Sequence, residues 1–435
     1  MRARNVCILH AMACAFLGIF CACDGDDVTL APDAGPPKSD ATVDQTAPDA
    51  GDAGDATFGP RLAMTYLATH GEIASFATQS QAVASRLSFP GYGVVQRSGS
   101  DTFLVETSAD VIAKLDGALG SVTASWSVAG TDAIDGGESY ADPVQVIETA
   151  ANKAYVLRFN RNAIAVIDPS AAADAGAPAS MIDLSSLVQG ADGDGVVDMV
   201  GGAYDATRHR VYVVLGNVDI GTVQPPSYAL LCVATHMTLV AIDTTNDTLV
   251  NLGGSGPGGG VVLNGYNPQM AYYGGVTLDA AGDRILVVSF GCNPSDGDGG
   301  IGAIQQRFVE AVSLASNTTT TLLDATSQDD PNVFRYIDAT HAIIQFGDFA
   351  PYITTYAWDP TQSTLGPAFA TGPDVFDYDP AGARILGPQS TFAQDGGAGP
   401  TNVIAVALGD GGVTVLGQNP FVQSAGYLGN AVYFP

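Results

Sequence analysis

The stretch AANKAYVLRFNRNAIAVIDPS, residues 150–170, holds two runs of β-forming residues on either side of a short polar turn. Apolar residues alternate at every second position in these runs, and neither run has the three-to-four-residue spacing of an amphipathic helix. The stretch therefore predicts two antiparallel strands joined by a tight turn.

Variants of this pattern recur along the chain, each with a strand, a polar turn and a second strand. They are ETAANKAYVL (148–157), YDATRHRVYVV (204–214), LDAAGDRILVV (278–288) and YDPAGARIL (378–386), with a shorter form YIDATHAIIQF (336–346) and a looser one VVQRSGSDTFLVE (94–106). A third alternating run follows each of them, and a fourth usually comes next. Four-stranded units that repeat at intervals of a few tens of residues are typical of β-propeller blades.

Counting these units gives six blades within the chain. Their approximate bounds are 88–130, 143–188, 199–255, 270–325, 332–371 and 373–418. A seventh blade is expected to combine VQSAGYLGNAVYF at the C-terminus with the segment 64–89, because pairing the chain ends closes the ring and hides an exposed strand edge. We predict an all-β chain with seven four-stranded blades. Six or eight blades stay open as alternatives, since the N-terminal segment contains one strand more than closure needs.

One blade carries a family resemblance. AYVLRFNRNAIAVIDP, with Tyr155-Val156 and the later Val166-Ile167-Asp168, resembles a blade of the YVTN-repeat propellers. The resemblance extends loosely over residues 88–420. It implies the propeller fold and no particular activity, because propellers of this kind include binding proteins and enzymes.

The N-terminal sequence predicts the cellular location of the protein. Arg2 and Arg4 precede an apolar run that continues to Ala22, which is typical of a secretory signal peptide over residues 1–22. The sequence Phe20-Cys21-Ala22-Cys23 resembles a bacterial lipobox, and this resemblance implies lipidation of Cys23. The alternative is ordinary cleavage by signal peptidase, which would leave Cys23 as a free thiol.

Residues 23–58 are predicted to be the lipidated cysteine and a disordered acidic tether. Residues 24–58 include nine Asp and one Lys, and there is no aromatic residue before Phe58. A segment of this composition cannot bury enough apolar surface to offset the entropy of ordering. The folded domain is then expected to span residues 59–435, held at the bacterial cell envelope and facing the periplasm or the outside.

Charge restricts the partners. The chain has 45 acidic and 16 basic residues and a formal net charge of -29. Such a surface repels phosphate backbones and anionic lipid headgroups, so we expect no nucleic-acid partner and membrane contact through the lipid anchor alone. An envelope protein or a glycan remains the expected partner.

The long insertions are predicted to lie on one face of the propeller. They are residues 189–198, 217–235, 291–306 and 387–401. Long loops on a rigid scaffold commonly carry function, so we expect this face to be the binding face and to be acidic. Cys232 and Cys292 fall in insertions of neighbouring blades and are expected to form a disulfide in an oxidising compartment. Two separate thiols are the alternative.

No motif of an enzyme family is present, and we name no catalytic residue. The leading hypothesis is a lipid-anchored envelope propeller that binds a protein or small ligand through its insertions and performs no chemistry. The alternative is a metal-dependent propeller hydrolase or lyase with acids at the channel mouth. The carboxylates considered for that role are Glu148, Asp205, Asp279 and Asp338, although their equivalent places in the repeat suit turn capping better.

A calcium site is the one candidate cofactor site. Asp192, Asp194 and Asp198 are spaced by glycines that let a loop curl, and Ca²⁺ takes six to eight oxygen ligands. The first ligand of an EF-hand-like loop is missing, because Gly190 stands at that position. A solvated acidic turn is therefore the alternative reading.

Calcium binding predicts a rise in melting temperature. A ligand at about 100 times its dissociation constant stabilises the folded state by about 2.7 kcal/mol, which a thermal melt in millimolar Ca²⁺ would detect. Asp194→Ala should abolish the rise and leave the fold intact, since the loop lies outside the predicted strands. Identical melting of the unsubstituted protein in Ca²⁺ and in chelator would identify a solvated turn.

Overall fold

In the computed structural model the chain divides into two units, Met1–Phe58 and Gly59–Pro435. Residues 59–435 are described apart from some gaps. These gaps are 68–69, 133–139, 172–175, 191–192, 219–222, 225–228, 233–234, 280, 295–301, 348–352, 371, 393–397, 409–410, 419 and 422–426. Residues 1–58 lie outside the described residues, and with them the predicted signal peptide, Cys23 and tether.

Seven antiparallel sheets form the ring of blades, which confirms the predicted propeller. The strands of blades one to three are β1 Arg61–Leu67, β2 His70–Ala77 and β3 Ala82–Pro90; β4 Val94–Ser98, β5 Asp101–Glu106, β6 Val111–Leu115 and β7 Val122–Ser127; and β8 Pro143–Ala150, β9 Lys153–Arg158, β10 Ala163–Ile167 and β11 Ser180–Asp183. Blade four has β12 Met199–Asp205, β13 Arg210–Leu215, β16 Thr238–Asp243, β17 Thr248–Val250 and the short β18 Val261–Val262, with the small hairpin β14 Val223–Gln224 and β15 Ala229–Leu230 between them.

The remaining strands complete blades five to seven and return to blade one. They are β19 Val276–Leu278, β20 Arg284–Val288, β21 Phe308–Ser313 and β22 Thr318–Asp324; β23 Pro331–Asp338, β24 His341–Phe346 and β25 Thr354–Trp358; β26 Asp377–Asp379, β27 Arg384–Phe392, β28 Ala398–Ala407 and β29 Val413–Gln418; and β30 Tyr427–Phe434. Three short 3₁₀ turns are also described, at Ser185–Leu187, Pro257–Gly259 and Ala271–Tyr273. In blade six, residues 366–369 take the place of a fourth strand, since the Gly366 amide donates to Ala357 O and the Phe369 amide to Thr355 O.

Ring closure follows the prediction. The order in blade one is β3-β2-β1-β30, so three N-terminal strands are joined by the C-terminal strand. Arg61 pairs with Phe434 and Met64 with Ala431. All three N-terminal strands are used, because together with β30 they make one complete four-stranded blade. The extra strand that left eight blades open is therefore the outer strand of this blade.

The first strand of each blade lies at the axis, where it contacts the first strands of the neighbouring blades. Turns between first and second strands lie on one face of the ring, which we call the hairpin face. Connections between second and third strands, and between successive blades, lie on the opposite face, which we call the insertion face. The prediction of a loop insertion at 387–401 is wrong. Strands β27 and β28 run through most of this segment, and pairs such as Ser390 with Thr401 extend the blade.

Apolar side chains fill the space between successive blades. Phe103 and Trp126 of blade two pack with Val156 of blade three, and Phe334 and Trp358 of blade six pack with Leu286 of blade five. Burying a side chain of this kind contributes roughly 1.5–3 kcal/mol. Because side chains alternate between the two faces of each strand, every blade presents one apolar face to the blade before it and one to the blade after it.

Amide side chains join the innermost strands across blade boundaries. Gln96 donates to Val144 O at 2.6 Å and accepts from the Val146 amide at 3.0 Å, so it joins blade two to blade three. Gln145 makes the same double contact with the backbone of Gly202, at 3.0 and 2.7 Å. We call this set of side chains the amide belt.

The amide belt continues around the ring. Asn430 contacts both the carbonyl and the amide of Val95, at 2.7 and 3.2 Å, and so joins blade one to blade two. Gln269 donates to Pro331 O at 3.0 Å between blades five and six, and Asn332 donates to Asp374 O at 3.0 Å between blades six and seven. Among the described residues, five of the seven blade boundaries thus have an amide side-chain contact, in which Gln96, Gln269 and Asn430 are buried and Gln145 and Asn332 are half-buried.

Within residues 59–435, and apart from the gaps named above, no helix is long and apolar enough to cross a membrane.

Removing one member of the amide belt should weaken the whole ring. Gln96→Ala leaves the buried carbonyl of Val144 and the buried amide of Val146 without partners, and each such group costs about 1–3 kcal/mol. We expect the free energy of unfolding in a urea titration to fall by about 2–6 kcal/mol. Gln418→Ala is the matched control, because Gln418 is exposed on the outermost strand β29. Equal stability of the two variants would contradict the role of the belt.

Candidate functional site

Aspartate side chains on the hairpin face cap the turns of that face. Asp205 Oδ1 accepts from the Thr207 amide at 2.9 Å, and its Oδ2 pairs with Arg208 at 2.7 Å. Burial alone would raise the pKa of Asp205, but the hydrogen bonds from Arg208 and Thr207 together lower it. Asp279 and Asp379 repeat this arrangement in blades five and seven. These carboxylates are therefore engaged in structural contacts.

The other two carboxylates of the enzyme alternative also contact turns. Thr340 donates its amide to Asp338 at 2.8 Å, and this contact, with a further one from His341, lowers the pKa of Asp338 to about 2. Burial raises the pKa of Glu148, whose carboxyl accepts from the backbone of residues 100–101 in the adjacent blade. Glu148, Asp205, Asp279 and Asp338 belong to four different blades, and each serves the turn beside it. Among the described residues no three His, Cys, Asp or Glu side chains form a group that could hold a metal ion.

The insertion face is organised by a covalent link. Cys232 and Cys292 form a disulfide with their Cα atoms 4.9 Å apart, which confirms the predicted pairing. Cys292 is 1% exposed. Backbone contacts extend the link, because the Cys232 amide donates to Asn293 O at 2.9 Å and Cys292 exchanges two hydrogen bonds with Gln305. The insertions of blades four and five are thereby held to each other.

The candidate calcium loop is only partly described. Asp192 lies outside the described residues. Asp194 Oδ1 accepts from the Val196 amide at 2.9 Å. Asp198 is fully buried with a φ of 50°, and its Oδ2 accepts from the Val218 amide at 2.5 Å. Two of the three carboxylates are thus aimed at backbone amides of the loops around them, and the calcium site stays a prediction.

The central channel contains a loop that departs from an innermost strand. The Gln269 amide donates to Val288 O, and the Val288 amide donates to Gly275 O, both at 2.9 Å. One residue of β20 therefore pairs with two residues that lie six positions apart, and residues 270–274 are displaced from the strand. We call these residues the axial loop. Since the free edge of an innermost strand faces the axis, the displaced residues enter the channel.

Contacts of the axial loop extend across the ring. Its 3₁₀ turn, Ala271–Tyr273, contacts the innermost strands β8, β12 and β23 of blades three, four and six. Tyr272 packs against the cores between blades two, three and four, whereas Tyr273 packs against the core of blades six, seven and one. The two rings meet edge to face with centroids 4.6 Å apart. The axial loop therefore spans the channel at this level, from blades three and four to blade six.

Close packing around the axial loop depends on glycine. Gly274 has a φ of 89°, and a Cβ atom built there would lie 1.8 Å from Phe334 O. A Cβ atom on Gly201 would lie 2.6 Å from the Ala271 side chain. Burial raises the pKa of Tyr273 to about 12 and that of Tyr272 well above its usual range. Both phenols are consequently neutral at physiological pH.

Sequence reasoning missed the axial loop. The available signal was Ala271-Tyr272-Tyr273-Gly274-Gly275 directly before a predicted first strand. Two tyrosines followed by two glycines are unusual where a blade connection is expected to turn into the sheet. Nothing in the pattern, however, says that the segment points toward the axis.

The polar turn of residues 158–162 lies buried beneath other loops of the insertion face. Asn162 accepts from the Val197 amide at 3.0 Å and donates to Gly195 O at 2.8 Å. Asn160 is 1% exposed, and its amide donates to Ala141 O. The turn therefore holds the connections that enter and leave blade three.

Glu106 is a buried carboxyl group at the end of β5 on the same face. Its residue is 7% exposed, and among the described residues its carboxyl has no ion pair or hydrogen bond. Burial raises its pKa from 4.5 to about 7. A carboxylate of blade five contrasts with it: the buried Glu310 carboxylate accepts from the Asn264 and Gly265 amides at 3.0 and 2.8 Å.

Comparison with known proteins places the chain among propellers by shape alone. No protein-family model and no curated protein matches it. It is similar to a putative 6-phosphogluconolactonase from Bacteroides fragilis, with a TM-score of 0.53 and 10% identity over 88% of this chain and 100% of that one. A putative 6-phosphogluconolactonase from Bacteroides uniformis gives 0.52 and 11% identity over 86% and 99%. The dihydro-heme d1 dehydrogenase NirN gives 0.50 and 10% identity over 88% and 77%. At these identities the likeness shows the fold.

Glu106 should make stability depend on pH. Its pKa is higher in the folded chain than in the unfolded chain, so its contribution is full below about pH 4.5 and is lost as the pH rises toward about 7. The loss amounts to about 3 kcal/mol, from about 1.4 kcal/mol per unit. Glu106→Gln should therefore raise the melting temperature at about pH 8 and change it little at about pH 4.

Glu310→Gln is the contrasting variant. It replaces one of the two acceptor oxygens that face the Asn264 and Gly265 amides with an NH2 donor, and it should therefore lower the melting temperature at neutral pH. If Glu106→Gln also lowered the melting temperature at about pH 8, the assignment of Glu106 as a destabilising buried acid would be wrong.

Proposed function

We propose that the chain is a lipid-anchored propeller of the bacterial envelope that binds a protein or small ligand through its insertion face and performs no chemistry of its own. Cys23 is the attachment point in this proposal, and residues 24–58 are the tether. The observation that carries the binding role is the disulfide between Cys232 and Cys292. It joins two insertions on one face before any partner arrives, and such preorganisation reduces the entropy lost on binding.

The rest of the molecule supports the choice of this face. Aspartate and arginine side chains on the hairpin face are engaged in capping turns. The axial loop occupies the channel, which leaves the broad insertion face as the surface with long, fixed loops. An extracytoplasmic address also agrees with a disulfide, because oxidising compartments preserve such bonds.

Charge favours a cationic or neutral partner. The described residues hold nine Lys and Arg side chains in ion pairs with carboxylates: Arg86, Lys114, Lys153, Arg158, Arg208, Arg284, Arg307, Arg335 and Arg384. Nine of the 45 acidic and three of the 16 basic residues precede residue 59, which leaves 36 and 13 in the propeller. The carboxylates in excess keep the surface negative. A protein with a basic surface or an uncharged glycan fits this field better than an anionic polymer.

Photocrosslinking in cells tests the binding face. A photoreactive residue is placed at Ala303, which is exposed in the blade-five insertion, or at Ala381, which is exposed in a turn of the hairpin face. We expect a discrete adduct by mass spectrometry from Ala303 and none from Ala381. Replacing Cys232 and Cys292 with serine should reduce the Ala303 adduct. Adducts from Ala381 alone would contradict the proposal.

The anchor has its own measurement. Cys23→Ser should move the chain from the membrane fraction to the soluble fraction, and the intact mass of the unsubstituted protein should include acyl chains. A soluble unsubstituted protein with a free Cys23 would show ordinary cleavage, and it would leave the binding role to be judged on the crosslinks.

A further inference from the structure

Two arginines three positions apart, Arg158 and Arg161 in the buried turn of blade three, have very different surroundings. Arg158 is 0% exposed and uses all of its nitrogens. Its Nε donates to Ala163 O at 2.8 Å, its Nη1 to Val128 O at 3.1 Å and its Nη2 to Asp132 Oδ2 at 2.8 Å. This guanidinium is fully satisfied by the chain itself.

Arg161 is 7% exposed and is not satisfied in this way. Its Nη1 donates to Asp132 O at 2.6 Å. Its Nε is buried and has no hydrogen-bond partner, and among the described residues no other contact to Nε or Nη2 is present. Nine other cations of the described chain pair with a carboxylate, whereas Arg161 has none within ion-pair distance.

The nearby carboxylates are already occupied. Asp132 Oδ2 accepts from Arg158 and from the Ala163 amide at 2.9 Å. Asp110 acts on Arg161 only at longer range, and its Oδ1 accepts from the Ala141 amide at 2.6 Å. Neither group reaches the free edge of the Arg161 guanidinium. A buried donor without a partner costs stability, so an occupant that accepts these hydrogens is favoured.

We propose that the Nε and Nη2 edge of Arg161 is a receptor for the carboxylate group of a small ligand. These two nitrogens present parallel N–H bonds on one side of a planar group, which matches the two oxygens of a carboxylate. The acidic surroundings of the propeller disfavour ligands of high negative charge, so the ligand class is a monocarboxylate. The site goes beyond the proposed envelope role and needs neither an anchor nor a protein partner.

The probe is acetate, which is titrated into the purified full chain. The NaCl concentration is lowered as acetate is added, so that the ionic strength stays constant. Nuclear magnetic resonance follows the arginine Nε–H signals, and the Arg161 signal is identified by its loss in Arg161→Lys. We expect that signal to move downfield and saturate, together with a rise in melting temperature. Arg161→Lys keeps the charge and loses the planar edge, so acetate affinity should fall about tenfold or more.

Arg210→Lys is the matched control, since Arg210 begins β13 and has no ion pair among the described residues. It should leave the acetate response unchanged. A signal of Arg161 that does not saturate with acetate overturns the proposal. So does a response that appears only after Asp135→Asn and Glu138→Gln, because the carboxylate would then come from the chain itself. Should Arg161→Lys fail to fold, the melting temperature of the unsubstituted chain decides: a rise that saturates with acetate supports the proposal, and no rise overturns it.

Discussion

The innermost strands must be joined to one another without forming a continuous sheet, and amide side chains meet this constraint. One edge of an innermost strand is hydrogen-bonded to the second strand of its own blade, and the other edge faces the axis. A Gln or Asn side chain carries both a donor and an acceptor, so it can match a backbone peptide on the next strand. Gln145 with Gly202 and Asn430 with Val95 make such double contacts. Every blade boundary joined in this way fixes the loops above it.

Much of the fold could be predicted, because the information is local and repeated. Alternation marks the strands, and an aspartate after the first strand recurs because its carboxylate caps the following turn, as Asp205 and Asp379 do. Ring closure could also be predicted, since an unpaired strand at each chain end has few other places to go. The disulfide followed from topology, which brings the insertions of adjacent blades together.

The features that could not be predicted depend on contacts between residues that are far apart in the sequence, which no local pattern contains. The axial loop reads as an ordinary connection until the pairing of Val288 shows where the strand is interrupted. Glu106 and Arg161 look like solvated surface residues in the sequence, because charged residues in turns are usually exposed. Their burial comes from loops that arrive from other blades. The insertion expected at 387–401 was an error of a similar kind, because its polar residues pair as strands once β27 and β28 are aligned.

Closure of blade one also determines on which face of the ring the two ends of the propeller domain lie. Strand β1 is the second strand of its blade, and Arg61 at its start pairs with Phe434 at the end of β30. Both ends of the domain therefore emerge on the hairpin face. The insertions joined by the Cys232–Cys292 disulfide lie on the opposite face of the ring. The pairing of a single closing strand thus keeps both ends of the domain away from the face on which the insertions lie.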